Sequence, residues 1–227
     1  KKLSFPMFSK LIKIGVPTGF QFIFEVGAFS AAAIMMGWIG VTALAAHQIA
    51  INLASISYMM ASGLSTAAMV RVGNQLGRKD IKTLREAGFT AFVMVAIFMS
   101  VSAVIFILFR EFLPSLYIDD VSVIQMSATL LVIAGFFQLS DGIQVVGLGA
   151  LRGMSDVRVP TIVTLIAYWV IGLPLGYILA FSLGMQEIGI WVGLLIGLTV
   201  TGIMLLYRFH KLSQRILDKQ ESNISVR

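Results

Sequence analysis

Two acidic residues, Glu25 and Asp141, stand inside long apolar stretches of this sequence, whereas the remaining acids stand in short polar segments. An acid in the middle of a membrane costs at least about 2.5–3.5 kcal/mol on insertion scales, and such residues usually mark ion or proton pathways. A carboxylate in that setting can hold a proton or exchange it for a metal ion. The two acids are therefore the candidate binding site for a monovalent cation such as Na⁺ or H⁺.

Six apolar segments must position the two acids. Of the 227 residues, 58% are hydrophobic and 12% are charged, which is about half the charged share of a soluble protein. Each segment is near or above the roughly 20 residues that a helix needs to span the hydrocarbon core, and none alternates like a barrel strand. The sequence predicts an all-α polytopic membrane protein, with a six-helix transmembrane bundle over residues 1–207 and a cytoplasmic tail over 208–227. The predicted spans are 11–36, 43–70, 87–109, 123–150, 161–182 and 188–207.

The basic residues lie almost entirely on one side of this bundle. Of the 17 Lys and Arg residues, only Arg110 falls in a loop on the opposite side. Cytoplasmic loops are enriched in Lys and Arg, so we expect both termini in the cytoplasm. Contact with anionic membrane lipids then explains the net charge of +6, and no nucleic-acid partner is needed. The inner-side residues are Lys1, Lys2, Lys10, Lys13, Arg71, Arg78, Lys79, Lys82, Arg85, Arg152, Arg158, Arg208, Lys211, Arg215, Lys219 and Arg227.

Helical geometry places both acids at a similar depth. Glu25 comes twelve residues after Lys13, and Asp141 comes eleven residues before Arg152. At the rise of an α-helix these separations are about 18 Å and about 16 Å. Half of the hydrocarbon core is about 15 Å. Both carboxylates are therefore predicted near the midplane of the membrane.

Polar and aromatic residues share helix faces with the two acids. On helical spacing, Gln21 and Phe29 stand on the same face as Glu25. A polar stripe on the second span should face protein or water rather than lipid, although its residues are equally suited to hydrogen bonds between helices. The neighbours of Asp141 are Phe137, Gln138 and Gln144, and the stripe consists of Gln48, Asn52, Ser55, Met59 and Ser62.

Three further features favour structural roles. His47 has no His or Cys partner at ligand spacing, so we expect an interface histidine rather than a metal ligand. Gly135, Gly142 and Gly149 recur every seven residues, which predicts close packing of their helix against a neighbour. Pro17 removes a backbone hydrogen bond ahead of Glu25, which produces either a fixed kink or a bend that changes as the site fills.

Signature motifs of enzymes are missing from the sequence. It contains no phosphate-binding G-x-x-x-x-G-K-[ST] loop, no H-E-x-x-H, no G-x-S-x-G and no C-x-x-C. An intramembrane hydrolase built on Glu25 and Asp141 is the enzyme alternative, but paired carboxylate proteases normally use two Asp residues. We therefore expect no enzymatic activity, and no cofactor besides the bound cation.

Several spaced motifs run along nearly the whole chain. They are PTGFQFIFE at 17–25, MGWIG at 36–40, LAAHQIA at 44–50, GLSTA at 63–67, RVGNQLG at 71–77, QLSDGIQ at 138–144 and GALRG at 149–153. Together they resemble the C-terminal half of multidrug and toxic compound extrusion (MATE) transporters, and the pair of acids resembles their NorM-like branch.

This resemblance implies a fold and an activity. MATE transporters have twelve helices in two six-helix lobes, and they export cationic or amphipathic drugs against an inflow of Na⁺ or H⁺. The chain resembles the C-terminal lobe alone, so we expect a piece of a longer protein whose N-terminal six-helix lobe is the partner. Drug-like small molecules are the implied substrates, and a bacterial inner membrane is the implied location.

The resemblance also implies site residues. By position, Glu25 and Asp141 match the cation-coupling acids of the family. Phe137 stands where some relatives carry a Tyr near the cation, so an aromatic hydroxyl is missing at that position. Phe29, Gln48 and Asp120 match positions that approach bound drug in relatives. The full expected substrate-binding set is Gln48, Phe29, Phe137, Gln138, Asn52 and Asp120.

Three functions remain open at this point. The leading one is half of a cation-coupled multidrug efflux antiporter. The second is a lipid-linked saccharide flippase of similar architecture, for which a larger cationic cavity is expected. The third is a non-transporting membrane scaffold, in which the two acids only bridge helices. The near absence of basic residues outside the inner-side loops counts against the flippase.

Overall fold

The computed structural model describes residues 5–225, apart from the side chains of residues 10, 221 and 223–225. Lys1, Lys2 and Arg227, which the charge pattern assigns to the inner side, lie outside the described residues, as does the side chain of Lys10. Within this part of the chain seven helices follow one another and no strand occurs. They are α1 Phe5–Ile39, α2 Val41–Arg78, α3 Ile81–Leu108, α4 Phe112–Ser115, α5 Val121–Gly153, α6 Arg158–Ser182 and α7 Gln186–Ser225.

Six of these helices are long and apolar enough to cross a membrane. The exception is α4, a single turn between α3 and α5 that the hydropathy pattern does not reveal. The predicted class, an all-α polytopic membrane protein with six transmembrane helices, is confirmed.

The helices extend beyond the predicted spans at the end of the bundle that carries nearly all the basic residues, which is called the inner end, the opposite one being the outer end. α2 continues to Arg78 and α7 continues to Ser225, so residues 208–225 prolong the last helix. Hydropathy marks where a helix leaves the hydrocarbon, whereas the helix itself ends only where its backbone hydrogen bonds end. The inner part of α7 also packs against α3. Phe209 is fully buried, and its ring lies edge-on to that of Phe89 at 5.6 Å between centroids.

Short connections hold neighbouring helices antiparallel. α1 and α2 are joined by Gly40 alone, whose φ of 155° is a conformation that residues with a side chain rarely adopt. Between α2 and α3, Lys79 adopts the left-handed conformation and Asp80 caps α3 by accepting a hydrogen bond from Thr83 N at 3.1 Å.

The centre of the bundle is a column of glycines on α5. A Cβ atom at Gly149 would overlap the backbone oxygen of Ser65 on α2, and one at Gly142 would lie 2.6 Å from Met99 Cγ on α3. A Cβ atom at Gly135 would come within 3.0 Å of Ile107. These approaches confirm that the seven-residue glycine repeat serves close helix packing.

α6 departs from regular α-helix, with π-helical segments at Ile166–Gly172 and Ile178–Ser182. Two consecutive side chains of the first segment, Tyr168 and Trp169, both contact α1. Trp169 Nε1 donates to the carbonyl of Phe24 at 2.9 Å, and Thr161 Oγ1 donates to the carbonyl of Pro17 at 3.0 Å. α1 therefore passes through Pro17 as one helix and is hydrogen-bonded to α6 at that proline and again at Phe24, about two turns later.

Candidate cation and substrate site

Glu25 and Asp141 line the same cavity. It has a volume of about 520 Å³ and lies between α1, α2 and α5. Glu25 is 6% exposed and Asp141 is 5% exposed, so both carboxylates are almost fully withdrawn from the surface. Two acids from helices remote in sequence therefore line one cavity.

The outer part of this cavity is aromatic. Phe29 on α1 and Phe137 on α5 meet edge-on, with 5.9 Å between their ring centroids. Each stands one turn from an acid, and because α1 and α5 run in opposite directions both rings lie on the same side of the acid pair. The opposite wall comes from α2, where His47, Gln48, Ser55 and Tyr58 face the cavity.

Gln48 is exposed in the isolated chain although it lines the cavity. The cavity is therefore open along α2, and a molecule beside α2 can reach the polar face of this helix.

Two of the expected substrate-binding residues lie away from the cavity wall. Gln138 is fully buried behind it, where Ser57 Oγ donates to Gln138 Oε1 at 2.8 Å. Asn52 is exposed, and its Oδ1 accepts a hydrogen bond from the Tyr117 hydroxyl at 2.8 Å. In this structure Gln138 supports the packing of α2 on α5, and Asn52 fastens the turn after α4 to α2.

Asp120 is not brought to the cavity either. It is the N-cap of α5, where its Oδ1 accepts hydrogen bonds from the Ser122 hydroxyl at 2.6 Å and from the backbone N–H groups of Ser122 and Val123. These donors, the Ser122 hydroxyl first, hold the pKa of Asp120 below its usual range. The observed role of Asp120 is therefore to stabilise the outer end of α5.

A hydrogen-bonded chain reaches Glu25 from α6. Gln144 Nε2 on α5 donates to Glu25 Oε1 at 3.2 Å, and the Tyr168 hydroxyl donates to Gln144 Oε1 at 2.9 Å. Helical spacing predicts Gln144 as a neighbour of Asp141, whereas Tyr168 was not predicted. Nothing in the sequence distinguishes Tyr168 from Tyr177 in the same apolar span. Tyr168 and Tyr58 bring aromatic hydroxyls to a site where Phe137 offers none.

Arg152 is closer to the site than its assignment to an inner loop implies. It belongs to the last turn of α5, and its Nη2 donates to Gln21 Oε1 on α1 at 2.9 Å. Its guanidinium also lies over the ring of Phe22, 5.4 Å from the centroid. Glu25 and Arg152 share a smaller cavity of about 60 Å³ on the inner side of the acid pair.

His47 has the structural contacts that its isolation in sequence predicts. Its Nδ1 accepts a hydrogen bond from Trp191 Nε1 on α7 at 3.2 Å, and the two rings meet edge-on at 5.7 Å. Within residues 5–225, no group of three or more His, Cys, Asp or Glu side chains is placed to hold a metal ion. The site therefore offers a cation two carboxylates, those of Glu25 and Asp141, and uncharged oxygen atoms of neighbouring residues.

The MatE family model matches residues 17–178 of the chain. The chain belongs to the MatE family. This range contains both acids, the aromatic pair and Arg152, so the whole candidate site lies inside the matched segment. The resemblance to MATE transporters found from the sequence motifs is confirmed.

Curated MatE relatives agree with this assignment. The chain is 43% identical over 209 residues to a probable multidrug resistance protein NorM of Mesorhizobium japonicum, covering 90% of this chain and 45% of that protein. It is 42% identical over 210 residues to the multidrug resistance protein NorM of Burkholderia vietnamiensis, covering 90% of this chain and 46% of that one. The chain thus spans about half the length of the curated relatives it matches.

Solved structures agree on the fold. A crystal structure of MATE in the bent conformation superposes with a TM-score of 0.89 at 14% identity, covering 96% of this chain and 48% of that one. The MatE chain is therefore an integral membrane protein with the transporter fold. The named relatives are multidrug resistance proteins, which agrees with the expectation that this chain is not an enzyme.

Proposed function

We propose that this chain is the C-terminal lobe of a multidrug efflux antiporter, with the transmembrane bundle over residues 1–207 and an inner tail from 208. In this proposal Glu25 and Asp141 hold the coupling cation, Na⁺ or H⁺. The observation that carries it is the shared cavity, because two buried carboxylates and two aromatic rings on the same pair of helices line one space.

The cavity suits cationic and amphipathic compounds. Its carboxylates attract positive charge in a region of low dielectric, and aromatic rings bind the faces of organic cations. Phe29, Phe137 and Gln48 are the proposed substrate contacts, since all three line the cavity. A lipid-linked saccharide flippase would need a cationic cavity for an anionic substrate, whereas the lining includes two acids and no Lys or Arg.

The same geometry couples the cation to the substrate. A cation between Glu25 and Asp141 attracts α1 and α5 toward each other, because it neutralises two like charges on those helices. Phe29 and Phe137 sit one turn away on the same two helices, so a change in helix separation also changes the aromatic wall. A ligand shifts a conformational equilibrium only through its different affinities for the two states. Cation and drug therefore compete through the distance between α1 and α5.

A second six-helix lobe is the proposed partner. The chain covers about 45% of its relatives, and its cavity is open along α2, where Gln48 is exposed. We further propose that the inner ends of the helices face the cytoplasm of a bacterial cell and contact anionic lipids, because nearly all basic residues stand there. The coupling ion is transported and is not a resident cofactor.

Substitution of the two acids in the complete transporter tests the proposal. In liposomes with an imposed Na⁺ or H⁺ gradient, Glu25→Gln and Asp141→Asn are each expected to reduce gradient-driven drug efflux at least about tenfold. The reason is that each change removes a negative charge from the cation site, and a charge-pair interaction of about 1.4 kcal/mol already corresponds to a factor of ten.

Glu111→Gln is the matched control, since Glu111 is exposed beside α4 on the outer side and its loss should leave efflux unchanged. Membrane insertion of all variants is checked by their melting temperatures in detergent. Full gradient-driven efflux by both cavity variants would refute the coupling role. Indifference of the wild-type protein to both ions would favour the scaffold instead.

A further inference from the structure

Arg152 is a permanent positive charge placed beside a site that is proposed to bind cations. Its Nη2 is held by Gln21 Oε1 at 2.9 Å, and Gln21 lies one helical turn from Glu25 on the same face of α1. Arginine does not lose its proton in proteins. Every cation that occupies the acid pair therefore meets this guanidinium as a fixed repulsive charge.

Arg152 lies on the inner side of the acid pair. α1 runs outward and α5 runs inward, so Gln21 and Arg152 both lie on the inner side of the acids, opposite to Phe29 and Phe137. The cavity of about 60 Å³ that Arg152 shares with Glu25 is on this inner side, whereas the aromatic cavity is on the outer side. Glu25 lines both cavities and stands where they meet.

The smaller cavity is polar enough to hold water. Hydroxyl groups of Tyr58, Ser62, Ser65 and Thr66 line it, together with Gln21, Glu25 and Arg152. Its volume exceeds the roughly 10–15 Å³ that one water molecule requires. Arg152 Nε is buried and has no hydrogen-bond partner among the described residues.

We propose that Arg152 is the standing counter-charge of the cation site, and that it weakens cation binding at Glu25 and Asp141 so that the ion leaves inward through the smaller cavity. This inference rests on the proposed function and deepens it. With a cation bound, repulsion by Arg152 favours release. With the site empty, the same charge stabilises the Glu25 carboxylate and so lowers the cost of having two unpaired acids in the membrane.

The charged and titratable groups around Glu25 come from three helices. α2 contributes Tyr58 and, on the wall of the larger cavity, His47. α5 contributes Asp141 and Arg152, and α6 contributes Tyr168 through Gln144. Among these groups Arg152 alone is permanently cationic, so its removal changes the local charge by a full unit while His47 and the hydroxyl groups stay in place.

Cation titration of the complete transporter tests the role of Arg152. Drug binding to the protein in lipid nanodiscs is measured as Na⁺ is raised at fixed pH, and then as pH is lowered without Na⁺. Arg152→Gln and Arg152→Met are both expected to shift the half-maximal cation effect about tenfold, to lower Na⁺ or to about one pH unit higher. Coulomb's law justifies that factor, because even two unit charges about 10 Å apart interact strongly enough for a tenfold change at an effective dielectric constant of about 20. Efflux in liposomes should slow, because release of the ion becomes harder.

Two variants separate charge from structure. Arg152→Lys keeps the charge and should titrate within about twofold of the wild type, and Arg158→Gln removes an exposed charge on the same inner side and should change nothing. Arg152→Gln and Arg152→Met both remove the charge but differ in polarity. The test needs only one of them as a folded protein. Unshifted titration of a neutral Arg152 variant, with the response abolished in Glu25→Gln, overturns this inference and leaves the proposed function standing. A wild-type protein without any cation response overturns both.

Discussion

Removal of the Tyr168 hydroxyl tests the hydrogen-bonded chain that supports Glu25. In Tyr168→Phe the ring keeps its place beside Phe29, 6.1 Å away between centroids. The lost group is the donor to Gln144 Oε1 at 2.9 Å. Tyr168 and Gln144 are both fully buried, so the amide oxygen loses its donor in a place that bulk water does not reach.

The expected cost follows from that burial. A buried polar atom left without its partner destabilises a protein by about 1–3 kcal/mol. For a chain of 150–250 residues each kcal/mol lowers the melting temperature by roughly 2–4 °C, so Tyr168→Phe should lower it by about 2–12 °C. Gln144 Nε2 donates to Glu25. Loss of the bond from Tyr168 leaves the Gln144 amide less firmly fixed, and Glu25 is then less firmly positioned as well. We therefore also expect weaker gradient-driven efflux.

Thermal unfolding followed by circular dichroism measures the first effect. Tyr177→Phe is the matched control, because Tyr177 lies on the same helix but is 48% exposed, and it should melt with the wild type. In a double-mutant cycle with Gln144→Leu, the two changes should be non-additive by about 1 kcal/mol, since residues in direct contact couple. Equal melting temperatures of Tyr168→Phe and the wild type, or additive effects in the cycle, would refute the reasoning.

Two further predictions concern the scaffold around the site. Gly149→Val should prevent stable insertion, because its Cβ would overlap the backbone of Ser65 at the α2–α5 contact. Gly63→Ala is the control and should be tolerated, because no atom lies within 4 Å of its Cβ position. The yield of monodisperse protein after detergent extraction measures both effects. Asp120→Ala should lower the melting temperature slightly at neutral pH through loss of the α5 cap. Because hydrogen bonds from Ser122 depress the pKa of Asp120, the stability that its carboxylate contributes is fully present above the ordinary Asp pKa. It is lost as pH falls through the lower, folded-state pKa, so the melting temperatures of wild type and variant should converge only on the acid side of the ordinary Asp value.

The six-helix fold was predictable because hydropathy and charge distribution depend on the membrane and not on details of packing. Helix ends were less predictable. α7 remains helical past residue 208, where polar helix-forming residues continue the pattern and Phe209 adds a buried contact. The π-helical segments of α6 were not predicted, although Pro174 stands between them and removes a backbone hydrogen bond from this helix.

The two acids of the site were predictable because a charged residue inside a membrane span is costly and usually marks an ion or proton pathway. Tyr168 and Arg152 gave no such signal, since Tyr is common in apolar segments and an Arg beside a loop satisfies the charge rule. The cavity face of α2 centres near Ile51, and the next residue lies about 100° around the helix. Asn52 is therefore exposed beside the cavity face, although it continues the polar stripe from Gln48.

The hydrogen bond from Trp169 to the Phe24 carbonyl gives the protein a built-in optical reporter. The indole N–H binds the peptide group directly before Glu25, so its fluorescence responds when α1 moves relative to α6. The two other tryptophans stand in contrasting places, since Trp38 is 65% exposed and Trp191 is fully buried against His47. Replacing Trp38 and Trp191 by Phe would leave one emitter, and its emission would follow the helix that carries Glu25 without any attached dye.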